Sequence, residues 1–126
     1  MMIMGVVNPT ILVVEDDEGI AELISFVLEE AGFEVYTESA IEPALRTFDD
    51  LHPRLVITDL MLPDGLGSDL IKRMHGRGDG DGAVGSILIS AHPQAREHAV
   101  ASHADAYLSK PFNLDDLYHV VEELLQ

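Results

Sequence analysis

Four short apolar runs recur along the chain, and each ends in a side chain that can do chemistry. Ile11-Leu12-Val13-Val14 is followed by Glu15-Asp16-Asp17. Leu55-Val56-Ile57-Thr58 ends in Asp59 and opens the turn Leu60-Met61-Leu62-Pro63-Asp64-Gly65. Ile87-Leu88-Ile89 leads into Ser90-Ala91, and Ala106-Tyr107-Leu108-Ser109 into Lys110-Pro111. Runs this short and this continuously apolar, bounded by Pro and Gly, read as buried strands. The carboxyl ends of strands in α/β sheets are where ligands bind. The runs therefore deliver carboxylates, a hydroxyl and an ammonium to one rim, a set suited to a divalent metal and a phosphoryl group.

The intervening segments have helical spacing. Ile20, Leu23, Ile24, Val27, Leu28 and Ala31 make one apolar face, with Asp16 or Asp17 as its cap and Gly32 as its stop. A second strand is predicted over 33–38. Ser39 with Glu42 then reads as a capping box for a helix ending near Leu51-His52-Pro53. The third strand covers 54–59 and a helix follows over 67–74. Residues 76–86 are Gly-rich and read as a surface loop, whose Asp79 and Asp81 fall short of a calcium loop's ligand set. A fourth strand is predicted over 86–91, with Pro93 opening a short helix. A fifth covers 105–109, and Asn113 caps a last helix with Leu114, Leu117, Val121, Leu124 and Leu125 on its apolar face. Residues 1–9 form a lead-in, and 10–126 one domain. Strands alternating with helices imply a parallel sheet covered on both faces, and right-handed crossovers leave few topologies.

At 126 residues, 47% of them hydrophobic, the chain can bury a full core. It has no cysteine, which excludes disulfides and thiolate metal sites. His92, His98 and His103 lack a zinc-like spacing. No apolar stretch approaches the ~20 residues of a membrane span, and the apolar start lacks the basic region of a signal peptide. A cytoplasmic location is expected. The 23 acidic and 7 basic residues give a net charge of −16. Such a surface repels DNA, RNA and anionic lipid, and suits a cation or a basic protein face.

Taken in order, Val13-Val14-Glu15-Asp16-Asp17, Asp59 through Gly65, Ser90-Ala91 and Lys110-Pro111-Phe112 resemble the receiver (response regulator) domain of two-component signal transduction systems. The resemblance runs from about Thr10 to Gln126. It implies a flavodoxin-like (βα)5 doubly wound parallel sheet of strand order 2-1-3-4-5, with the site beside the switch point. It implies that Asp59 accepts a phosphoryl group from a sensor histidine kinase or phosphotransfer protein. It further implies Mg2+ held by Glu15, Asp16, Asp59 and the backbone carbonyl of Met61. Lys110 is then the partner of the phosphoryl oxygens, and Ser90 the hydroxyl that bonds the group after transfer. Lys110-Pro111 is expected to be a cis peptide. Tyr107 is expected to couple Ser90 to the face made by the fourth helix, fifth strand and fifth helix. The only chemistry implied is the domain's own phosphorylation and dephosphorylation.

Each of these residues also has a plainer reading: a helix cap for Asp16 or Asp17, a turn former for Asp59, a turn residue for Ser90, a solvated end for Lys110. Several positions depart from the family pattern, among them His103-Ala104-Asp105-Ala106 and a fourth-helix region about two residues short. Met61 and His92 each stand two residues beyond a site residue, where the family tunes phosphoryl lifetime, and Met61 cannot orient a water by hydrogen bonding. The last helix has no Arg or Lys, so a monomer, or a weak phosphorylation-dependent dimer, is expected. A single-domain regulator or an excised receiver is expected, with no output domain after Gln126. The alternatives are a binding-only pseudo-receiver and an aspartyl-phosphate phosphatase. The latter wants a second acid where Met61 stands.

Overall fold

The computed structural model describes residues 9–77 and 84–125. Asp79, Asp81, Gln126 and residues 1–8 of the expected lead-in over 1–9 lie outside them. The elements in chain order are β1 (Thr10–Val14), α1 (Glu18–Glu30), β2 (Glu34–Glu38), α2 (Ile41–Leu51), β3 (Leu55–Asp59), β4 (Met61–Leu62), β5 (Gly65–Leu66), α3 (Gly67–His75), β6 (Gly85–Ser90), α4 (Ala95–Ser102), β7 (Ala106–Ser109) and α5 (Leu114–Leu125). Five strands form one sheet in the order β2-β1-β3-β6-β7, and every pairing in it is parallel. Counted among the sheet strands alone, this is the expected 2-1-3-4-5. β4 and β5 make a separate antiparallel ribbon where a plain turn was predicted.

The sheet is buried because its central strands are apolar at both odd and even positions. Ile11, Val13, Leu55, Ile57, Ile87 and Ile89 face one layer, packing with Ile24 and Leu28 of α1 and Leu117 and Val121 of α5. Leu12, Val14 and Val56 face the other, against Ile41, Ala44, Leu45 and Phe48 of α2 and Leu70 and Met74 of α3. Full burial of each Val, Leu, Ile, Phe or Met side chain is worth roughly 1.5–3 kcal/mol. A third cluster, Leu60, Ile71, Leu88, Ala95 and Ala99, joins α3 and α4 to the sheet. Among the described residues no helix is long and apolar enough to cross a membrane.

The caps decide where chemistry-bearing residues are free. Asp17, not Asp16, caps α1, its side chain accepting from the Ile20 N–H at 3.0 Å. Gly32 follows the helix with φ of 99°, which an L side chain disfavours. The Ser39–Glu42 capping box does not form: the N-cap of α2 is Ala40, which makes no side-chain bond. The orphan amides of Ile41 and Glu42 instead donate to the two oxygens of Asp64, at 2.8 and 3.1 Å. Glu42 turns away to pair with Arg73 of α3 at 2.7 Å. Pro93 lies in a turn ahead of α4, whose N-cap is Gln94. Asn113 accepts from the Asp115 N–H at 2.8 Å, as its place before α5 predicts.

Candidate functional site

The carboxyl ends of β1, β3, β6 and β7 lie side by side. Glu15 extends the β1 ladder by one bond, its N–H donating to the Glu38 carbonyl at 3.0 Å, so its side chain is held at the rim and buried. Asp59, the last residue of β3, is buried as well. Asp16 is exposed. Carboxylate oxygens of Glu15, Asp16 and Asp59 all lie within 4.8 Å of one another. Lys110, just beyond β7, reaches back to them: Nζ is 2.7 Å from Glu15 Oε1 and 2.9 Å from Asp59 Oδ2. Four residues from three distant parts of the sequence are thus brought into one cluster.

Burial pushes the Glu15 carboxyl above its usual range, an effect only partly offset by the Lys110 ammonium and the Asp17 N–H. Burial also disfavours the Lys110 charge, but bonds to two carboxylates outweigh it and leave the ammonium above its ordinary 10.5. With all groups ionised, the cluster carries three negative charges and one positive, −3 + 1 = −2. A divalent cation matches that surplus. The donors are all oxygen, as a hard ion such as Mg2+ requires, and neither His nor Cys belongs to the group.

Ser90 ends β6, the neighbour of β3, and is buried. Its Oγ accepts from the His92 N–H at 2.9 Å, which leaves its own proton free to donate. Lys110-Pro111 is cis, as expected. The Met61 side chain is exposed at the start of the ribbon. Tyr107 stands apart from the carboxylates. It is half-buried against the Leu60, Ile71 and Leu88 cluster, its ring 5.9 Å from the Arg96 guanidinium carbon. A hollow of about 300 Å³ opens beside it, lined by Ala99, Val100 and Ala104 among others. A second, apolar hollow of about 360 Å³ adjoins Lys110, lined by Ile20, Leu23, Ala91, Pro111, Phe112 and Leu114.

Two positions that support the site escaped the sequence reading. Gly67 opens α3 directly against the end of β3: a Cβ there would lie 1.9 Å from the Asp59 carbonyl oxygen and 2.7 Å from Thr58 Oγ1. Its N–H donates to the Leu60 carbonyl at 2.7 Å. Asp64, read as part of a turn, is the cap of α2. A glycine two residues after Gly65 was the only available signal for the first, and nothing local signals the second.

Residues 11–122 match the family model of the response regulator receiver domain. Among curated proteins, the chain is similar to the sensory transduction protein RegX3 of Mycobacterium tuberculosis, 30% identical over 119 residues that make up 93% of this chain and 51% of that one. It is equally similar to the phosphate regulon transcriptional regulatory protein PhoB of Escherichia coli, 30% identical over 117 residues, 92% of this chain and 51% of the relative. The chain thus spans about half the length of these curated relatives. Among solved structures, a putative response regulator from Chloroflexus aurantiacus superposes with a TM-score of 0.87 at 29% identity, covering 94% of this chain and 98% of that one. The signal receiver domain of a signal transduction histidine kinase from Syntrophus aciditrophicus does so with 0.84 at 28%, covering 93% and 89%.

Proposed function

The chain belongs to the response regulator receiver domain family, and from that premise we propose that Asp59 is its phosphoacceptor, charged by a sensor histidine kinase or phosphotransfer protein. The observation that carries this reading is the position of Asp59: buried at a strand end, clustered with Glu15 and Asp16, and 2.9 Å from the Lys110 ammonium. An Asp59 oxygen attacks phosphorus as the donor's phosphorus–nitrogen bond breaks. The electron pair leaves with the donor nitrogen, which takes up a proton. Lys110 then pairs with a phosphoryl oxygen, and the free Ser90 proton donates to another. Glu15, Asp16, Asp59 and the Met61 carbonyl are the ligands we assign to Mg2+, which when bound offsets charge on the phosphoryl oxygens.

The hollow beside Lys110 suits the donor protein, because its largely apolar lining includes the lysine that bonds Asp59. Tyr107 and its neighbouring hollow form the output face, answering to Ser90. Residues 10–126 constitute the receiver. It turns over nothing but its own acyl phosphate, since Met61 puts a thioether where a phosphatase needs an acid. It works in the cytoplasm, binds no nucleic acid by itself, and is a monomer or at most a weak dimer once phosphorylated. The test is acetyl phosphate with Mg2+: intact-mass spectrometry should find one added phosphoryl group on the protein and none on Asp59→Asn. Equal labelling of both would overturn the assignment.

A further inference from the structure

Glu18, Glu22, Phe26 and Glu29 follow one another along α1 at intervals of four, four and three residues, and so share one side of the helix. They wall a groove of about 530 Å³ whose far side is the end of β2, at Thr37, Glu38 and Ser39. Five of its lining residues are glutamates and none is Lys, Arg or His; Lys110 answers Glu15 from outside the groove, which leaves Glu18, Glu22, Glu29 and Glu38 with no counter-charge in its lining. Within this acidic stripe Phe26 is 63% exposed, a large apolar ring that belongs to none of the hydrophobic clusters of the described residues. Ser25 lines the same groove, and its hydroxyl is enclosed with no hydrogen-bond partner among the described residues. β2 is an edge strand, which leaves the approach open.

The chemistry narrows the occupant. Glu18 and Glu29 stand about 16 Å apart along the helix, too far for one metal ion. The net charge of −16 turns away nucleic acid and anionic lipid. A guanidinium answers both features at once, because it stacks on an aromatic face and bonds carboxylates in its own plane. We propose that this groove docks an arginine-bearing segment of a partner protein, with an arginine on Phe26 held by Glu22 and Glu29. The site is separate from the hollow beside Lys110, which meets α1 at Ile20 and Leu23.

The test is an amide chemical-shift titration of the full, isotopically labelled chain with an alanine-based helical peptide carrying four arginines. Shifts should centre on α1 and the end of β2. Phe26→Ala and Phe26→Leu should both weaken binding about two- to fivefold, since each removes the π face. Glu22→Gln and Glu29→Gln should each weaken it by roughly twofold, and the four-lysine peptide should bind less well than the arginine one. Asp115→Asn with Asp116→Asn on α5 should change nothing. Shifts spread evenly over the acidic surface, equal affinity for the lysine peptide, or indifference to the Phe26 variants would overturn the proposal. So would the same shifts on raising protein concentration without peptide, which would make a second copy the occupant.

Discussion

Replacing Gly67 by Ala should damage phosphorylation far more than it damages folding. The new methyl would start 1.9 Å from the Asp59 carbonyl oxygen. Restoring an allowed contact of about 3 Å demands a shift of about 1.1 Å, shared between the start of α3 and the acceptor's own backbone. Thr58 Oγ1, 2.7 Å from the same point, closes off the easy escape. Two opposed effects act on stability. Ala is favoured over Gly in a helix by roughly 0.5–1 kcal/mol, whereas overpacking costs about 1–3 kcal/mol, so a net loss of about 1–2 kcal/mol is expected. A domain with about 5–15 kcal/mol of stability stays folded. Phosphoryl transfer is less forgiving: a 1 Å misplacement of a reacting group costs on the order of 100-fold in rate. Urea denaturation and the rate of labelling by acetyl phosphate, measured on the same preparation, separate the two effects. A variant labelled at the parent rate would refute the claim that the α3 contact sets the position of Asp59.

Lys110→Met should destabilise the fold by about 1–3 kcal/mol at neutral pH, because it strands the buried Glu15 carboxylate, and adding Glu15→Gln should recover most of that loss. The pH dependence of urea stability follows from the same pair. Lys110 is raised above 10.5, so its stabilisation is full below that pH and fades as pH climbs through the folded value; Glu15, raised above 4.5, makes stability fall as pH rises from there through its own folded value. Alkaline loss that is identical in parent and Lys110→Met would contradict the first. Asp64→Ala should cost about 1 kcal/mol, the usual worth of a helix cap. The Ile41 and Glu42 amides hold the Asp64 carboxyl below its ordinary 3.8, so the stabilisation it gives is present above that pH and lost as pH falls through the folded value. Acid denaturation of the variant should lack that component, and full retention of it would rule Asp64 out as the cap. Mg2+ should raise the melting temperature, by the equivalent of about 2.7 kcal/mol at a hundred times its dissociation constant, and Asp16→Ala should abolish most of the rise. An undiminished rise in Asp16→Ala would move the metal elsewhere.

The sheet was legible because β1, β3 and β6 are apolar at consecutive positions, a pattern that buried parallel strands share with little else. The cluster was legible because each of its members stands within two residues of the end of such a run. What escaped is what local patterns do not encode. Ser39 and Glu42 have capping-box spacing, yet a carboxylate more than twenty residues downstream reaches the α2 amides first. β4 and β5 are two residues each, too short to carry a period. Gly67 looks like any glycine near a turn, because the closeness of one backbone to another leaves no mark on composition.

The clasp between Asp64 and α2 has a consequence for how such a chain can be altered. The carboxylate lies five residues past the acceptor and closes on the first two amides of a helix that feeds from the sheet's edge. The acceptor loop is therefore cut to length. Adding or deleting a residue between Asp59 and Asp64 would unfasten α2 as surely as it would reshape the loop, so side-chain replacement is the open route for retuning the site.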